Sequence, residues 1–295
     1  MLDSPFSRRS LIAGGGAVAI GVLAGCTRTN VTPGNPAGGG GADLMSRATQ
    51  QGFLTCVVGN EPPYTKVETD GTVTGCEPDV LRAVCKKLGI NEVKGIVSPY
   101  ESMIPGLQAN RWDVIAAGLF MKQSRCSQVA YSEPVIVSTE SFLVPAGNPK
   151  NITTVASVLA DPSLKIGVIP GGFEEGILKS AKVPDNQRVS TADGRSGYEA
   201  LKAKRVDAFL LPTLSLKSLV TNDASVEITP QVPDAPKTGS GAGFRPADKA
   251  FVDQYNQALA EFKKTPEFDA ILDKWGFDPE AARSAKAAEL CKNEG

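Results

Sequence analysis

Histidine does not occur anywhere in the 295 residues. Its absence removes the commonest general base and the commonest metal ligand, so hydrolytic triads that need imidazole are excluded. Neither sign of charge is in surplus, with 31 basic residues against 32 acidic ones and a formal net charge of -1. No block of like charge forms a tail, and a nucleic-acid partner gets no electrostatic support. There is no GxxxxGK[ST] segment, hence no P-loop of its own for ATP hydrolysis. No two cysteines stand in a CxxC spacing, which disfavours a close metal or redox site. No cofactor and no metal is expected. Aromatic residues make up only 6% of the chain, so their positions are informative.

What is present begins at the N-terminus. Ser7-Arg8-Arg9-Ser10-Leu11 places paired arginines before an uncharged stretch, Leu11 to Ala24, that is too short for a bilayer span of ~20 residues. The pattern looks like a twin-arginine export signal. It ends in Leu23-Ala24-Gly25-Cys26, which resembles a lipobox in which Cys26 accepts a lipid. Residues 1–26 are therefore expected to be a lipoprotein signal, the alternative being an ordinary signal peptide that contains a cysteine. Residues 27–48, with Pro33, Pro36 and the run Gly38 to Gly41, read as a flexible tether. The remainder is expected to be exported and held at the outer face of the cytoplasmic membrane by lipid on Cys26.

In such an oxidising compartment Cys56, Cys76, Cys85, Cys126 and Cys291 are free to form bridges or to stay as buried thiols. Five is an odd number, so at least one is unpaired within the chain. The spacing leaves the pairing open.

From Phe53 onward, short β-prone runs alternate with helical periods. Phe53 to Val58 reads as a strand, and Pro78 opens a helix with Leu81, Val84, Cys85 and Leu88 on one face, closed by Gly89. A strand near Val93–Val97, a helix near Met103–Ala109 and the run Val114 to Ala117 continue a βαβαβ rhythm, which implies a parallel sheet. The rhythm breaks at Tyr131-Ser132-Glu133-Pro134. Ser141 to Val144 starts a second series, with strands at Lys165–Ile169 and Asp207–Leu211 and helices near Glu174–Ser180 and Tyr198–Ala203. A Pro/Gly-rich stretch, Pro230 to Gly243, precedes an amphipathic helix with Phe251, Tyr255, Leu259 and Phe262 at core spacing. The expected architecture is α/β, with lobe one at 49–136, lobe two at 137–232 and a return to lobe one at 233–295. Two strands would cross a hinge between the lobes.

An ordered set of segments carries a resemblance. It includes Glu61-Pro62-Pro63-Tyr64, Pro78-Asp79-Val80, Ile104 to Ala109, Trp112 to Gly118, Ser124-Arg125, Tyr131 to Pro134, Arg205 to Ala208 and Lys274-Trp275-Gly276. Across nearly all of the mature chain these resemble the polar amino-acid type of bacterial extracellular solute-binding proteins, family 3. Within it, the likeness points to the ectoine/hydroxyectoine-binding branch of ABC importers. The resemblance implies a periplasmic-binding-protein-like fold, with the ligand in a cleft between two hinged lobes. It also implies a small zwitterionic ligand, a membrane ABC permease as partner, a monomer, and no enzymatic activity.

The site residues carried by the resemblance are Glu61, Tyr64, Tyr100, Phe120 and Arg125; Phe173 is a candidate from lobe two. Their chemistry suits a dipolar solute. Arg125 offers a bidentate fork to a carboxylate, the aromatic rings offer faces to a delocalised cation, and Glu61 supplies the opposite charge. Glu174 and Thr213 are further candidates from lobe two. The chain departs from amino-acid binders of the family by having Pro212 where they usually carry an Asp, and Gly172-Phe173 where they tend to have Thr-Thr. Blander readings stand beside these. Arg125 is otherwise a surface arginine, Tyr64, Tyr100 and Phe120 are core, and Glu61 is a solvated loop carboxylate. Asp113 and Asp207 read as structural, and Gly171-Gly172 as a tight turn or an anion site before a helix. A polar amino acid, an opine or a betaine are alternative ligands. A dehydratase of cyclic acids on the same scaffold, with Glu61 or Glu174 as general acid, is the enzymatic alternative.

Overall fold

A computed structural model describes residues 41–294. The export signal, Cys26 and the tether up to residue 40 lie outside the described residues. The tether does not extend to residue 48 as expected, because Gly41–Gln51 is a helix. Leu44 and Ala48, four residues apart, share a face and are buried in the core. Between them Arg47 pairs with Asp113 at 3.0 Å.

Two five-stranded sheets form the two lobes. In the first, Phe53–Val58 runs parallel to Glu92–Val97 on one side and to Val114–Ile115 on the other. Gly243–Phe244 then pairs antiparallel with both Val114–Ile115 and Ala130–Tyr131. In the second sheet Arg188–Ser190, Ile166–Val168 and Ala208–Pro212 are parallel neighbours. Glu140–Pro145 lies antiparallel between Ala208–Pro212 and Val226–Ile228. The sheets are thus mixed rather than purely parallel. A strand that arrives directly from the other lobe needs no crossover helix, and so it is free to run the opposite way.

The sheets are joined by an antiparallel ribbon of Ile136–Ser138 and Thr238–Ser240. Its side chains Ser138, Thr238 and Ser240 are buried, so each hydroxyl requires a partner. On the first sheet, helix Cys76–Lys87 buries Val80, Leu81, Val84 and Cys85. It packs on helix Lys249–Phe262, which buries Phe251, Tyr255, Leu259 and Phe262. Phe244 fixes that helix to the sheet, with ring centroids 5.2 Å from Phe251 and 5.5 Å from Tyr255. Asp113 and Asp207 are structural: Asp113 accepts from the Thr55 amide at 3.0 Å and Asp207 from the Lys165 amide at 2.8 Å. Cys126 is bonded to Cys291, while Cys56, Cys76 and Cys85 are buried free thiols.

Helix Tyr100–Gln108 depends on a glycine for its seat. A Cβ on Gly106 would stand 2.0 Å from the Trp112 ring, and Trp112 is held there by its indole N–H donating to the Met103 carbonyl at 3.0 Å. Gly106→Ala is expected to lower stability by about 1–3 kcal/mol through overpacking, despite the better helix propensity of alanine. The urea midpoint reads this; an unchanged midpoint would mean that the indole shifts without loss.

Candidate ligand-binding site

Each lobe presents loops at the carboxyl ends of its parallel strands, the usual place for ligands in open α/β sheets. From the first lobe, Glu61 follows strand Phe53–Val58, Tyr100 opens the helix after Glu92–Val97, and Phe120 lies beyond Val114–Ile115. Arg125 sits in the short turn Gln123–Cys126. From the second lobe, Ile169 and Gly172 follow Ile166–Val168, Phe173 and Glu174 begin helix Phe173–Ser180, and Pro212 ends Ala208–Pro212. Together with Gly118 these ten residues line a narrow interlobe pocket whose free space, about 10 Å³, is little more than one water molecule needs.

The lobes are closed on one another by direct bonds. Arg125 is only 6% exposed. Its Nη1 donates to the Phe120 carbonyl at 2.7 Å, and its Nη2 crosses the cleft to the Gly171 carbonyl at 2.6 Å. In the other direction the Ser215 hydroxyl donates to Glu61 Oε1 at 2.5 Å. Phe120 meets Phe173 edge-on across the cleft with centroids 5.8 Å apart. Glu61 is therefore buried at the lobe interface rather than solvated in its loop. Tyr100 lines the cavity, and its hydroxyl donates to the Ala117 carbonyl at 2.9 Å.

Tyr64 is placed differently from the other five. Its ring stands behind Phe120, at 5.5 Å, and against Phe277, at 5.0 Å. It does not line the cavity, and its hydroxyl is bonded to Ser138 of the ribbon. Thr213 also turns away, donating to the Thr139 carbonyl at 2.9 Å.

The sequence pattern of the bacterial extracellular solute-binding proteins, family 3, matches residues 54–278. That span includes every strand of both sheets except Phe53, the first residue of its strand. The chain belongs to this family. A probable amino-acid ABC transporter periplasmic-binding protein, y4tE, of Sinorhizobium fredii (strain NBRC 101917 / NGR234) is 32% identical over 264 residues, covering 86% of this chain and 87% of that protein. The L-cystine-binding protein TcyJ of Escherichia coli (strain K12) is 26% identical over 79% of this chain and 85% of its own length. Among solved structures, EhuB in complex with hydroxyectoine is 41% identical, with a TM-score of 0.82 over 84% of this chain and 98% of that one. The ancestral amino acid-binding protein AncCDT-1, a precursor of cyclohexadienyl dehydratase, shares the fold, with a TM-score of 0.69 at 20% identity.

In this family 3 solute-binding protein the cleft is rich in buried carboxyls. Burial, the nearby Glu174 charge and only partial relief from Ser215 push the Glu61 carboxyl up to about 7. Glu174 and Glu140 lie side by side and are both raised, first of all by burial. The buried Glu140 Oε2 has no donor, and burial beside Glu174 favours the protonated form of Glu140. Lys122 is lowered to about 8 by burial and by the Arg125 charge, and its ammonium lies 5.7 Å from the Phe173 ring centre. Glu140 gave little warning of its role in the sequence. Its one signal is a charge placed directly before the apolar run Ser141 to Val144.

Glu77 shows the same chemistry at the ribbon. Its Oε2 accepts from the Gly118 amide at 2.8 Å, and its Oε1 accepts from the Ser240 hydroxyl. Burial pushes this carboxyl up from 4.5 to about 7. Between those values the folded chain keeps a proton that the unfolded chain has lost, so stability falls as pH rises through that window. Glu77→Gln preserves an acceptor for Gly118 and a polar partner for Ser240 without a charge to desolvate. Melting temperature measured from pH 5 to pH 8 is expected to fall in the parent and to fall less steeply in Glu77→Gln. Equal slopes would place the titration elsewhere.

Proposed function

We propose that this protein is the solute-binding component of an ABC importer, that it carries ectoine or hydroxyectoine, and that it is anchored by lipid on Cys26 to the outer face of the cytoplasmic membrane. One observation carries the ligand assignment: a narrow interlobe pocket brings together one guanidinium, Arg125, two carboxyls, Glu61 and Glu174, and the rings of Tyr100, Phe120 and Phe173. That set matches a compact solute with a carboxylate and a delocalised ring cation. A guanidinium has five donors, and with two on backbone carbonyls a fork is left for the ligand carboxylate. The carboxyls and ring faces receive the cation, each ring contributing roughly 0.5–2 kcal/mol according to desolvation.

Support comes from the 41% identity to EhuB, whose structure holds hydroxyectoine. Pro212 at the end of Ala208–Pro212 offers no carboxylate to the α-ammonium of an ordinary amino acid. The solute lands on one lobe, closure excludes water, and closure is favoured only by contacts that the closed form alone supplies. A permease then opens the lobes and accepts the cargo. An enzymatic reading has one feature in its favour, the buried carboxyls Glu140 and Glu174, both raised first of all by burial, with Glu174 in the pocket wall. Turnover of a cyclic hydroxy acid to its dehydrated product would establish that alternative.

Calorimetry of the purified chain with ectoine is expected to give a saturable heat, with a rise in melting temperature that grows with ligand concentration. Absence of both would remove the ligand assignment. Arg125→Ala is expected to weaken binding by at least about a hundredfold, since it deletes paired charge-assisted bonds. Retained affinity would show that the carboxylate is held elsewhere.

A further inference from the structure

The last residues of the chain touch both lobes and the ribbon between them. Helix Ala287–Leu290 lays Leu290 on the ribbon, so close that a Cβ on Gly239 would be 2.7 Å from Leu290 Cδ1. The next residue, Cys291, is cross-linked to Cys126, the immediate neighbour of Arg125. The Asn293 carbonyl accepts from the Gln123 amide at 2.8 Å, at the start of the Arg125 turn. Its side-chain amide donates to the Lys237 carbonyl at 2.9 Å, one residue before the ribbon strand Thr238–Ser240. Finally the Glu294 carbonyl accepts from the Ser180 hydroxyl at 2.8 Å. Ser180 is the last residue of helix Phe173–Ser180, whose first turn puts Phe173 and Glu174 into the cavity.

We infer that the C-terminal tail, fixed by the Cys126–Cys291 disulfide, is a third tie between the lobes that positions the Arg125 turn and favours the closed arrangement. The ribbon is a hinge and holds in open and closed forms alike. The tail is different, because one end is covalently bound to the first lobe while Glu294 is bound to a helix of the second. Opening carries that helix away from the Gln123–Cys126 turn, so the Ser180–Glu294 bond counts only in the closed form. A contact made in one state alone shifts the equilibrium toward that state and tightens whatever binds it. Without the disulfide the tail would hang on Leu290 and a few hydrogen bonds, among them the Ala287 amide donating to Glu133 at 3.3 Å. The inference rests on the reading that a solute is bound between the lobes, but not on which solute.

Three variants separate this role from simple stabilisation: Ser180→Ala, a chain ending at Lys292, and the double variant Cys126→Ser with Cys291→Ser. Small-angle scattering of the ligand-free chain reads lobe opening, and calorimetry with ectoine reads affinity. All three are expected to increase the radius of gyration and to raise Kd by about two- to tenfold, the range a single net hydrogen bond supports. Ser180→Ala and the shortened chain should do so with melting temperatures within about 4 °C of the parent. A melting temperature lowered only in the cysteine variant, with Kd and scattering unchanged throughout, would overturn the inference and leave the disulfide a structural staple. If ectoine gives no heat even with the parent, the ligand assignment falls by itself. Scattering then decides the tail alone, and an unchanged profile overturns it.

Discussion

Three buried hydroxyls of the ribbon are each spent on a group that would otherwise be stranded away from water. Ser240 serves Glu77 of the first lobe, Thr238 serves Glu140 of the second at 3.3 Å, and Ser138 serves Tyr64. An unpaired buried carboxyl or phenol costs more than a typical hydrogen bond gains, so these pairings fix register and direction rather than adding much net stability. Through Glu77 the constraint passes to the Gly118 amide and hence to the loop that carries Phe120. Through Glu140 it passes to Glu174 in the cavity wall. The ribbon and the interlobe pocket are therefore joined by polar contacts with apolar packing on either side.

The cleft itself is balanced between opposing demands. Arg125 and Glu61 are desolvated on closure, which is unfavourable for both, and each is compensated by a neutral partner of the other lobe rather than by an ion. Neutral partners satisfy hydrogen bonds but do little to neutralise a buried charge. On the proposed reading, a dipolar guest would add opposite charge beside Arg125 and Glu61 to the bonds already made there.

The elements that periodicity can see were legible in the sequence. Strand Phe53–Val58 and the buried faces of Cys76–Lys87 and Lys249–Phe262 follow from patterns of two and of three to four residues. The direction of Glu140–Pro145 was not legible, because it depends on which lobe the chain arrives from. The start of helix Gly41–Gln51 was hidden too, since Leu44 and Ala48 supply too short a repeat beside a glycine run. At the site, loop positions after strands brought Glu61, Tyr100, Phe120, Arg125 and Phe173 to one cavity. Tyr64 shows the limit of that reasoning: the same turn that places Glu61 in the cleft sends the ring three residues later into the core. Glu77 and Glu140 were invisible because their partners lie 163 and 98 residues away.

The distribution of sulfur separates a bonded pair from three silent thiols. Cys56, Cys76 and Cys85 sit within the first lobe at no more than 1% exposure, and burial raises all three thiols, Cys85 to about 12. Thiolate is the species that attacks disulfides and oxidants, so in the finished fold these three are chemically silent. In an unfinished chain they are ordinary thiols, competitors for Cys126 and Cys291. In the finished fold the core shields all three, and among the described residues only Cys126 and Cys291 are cross-linked.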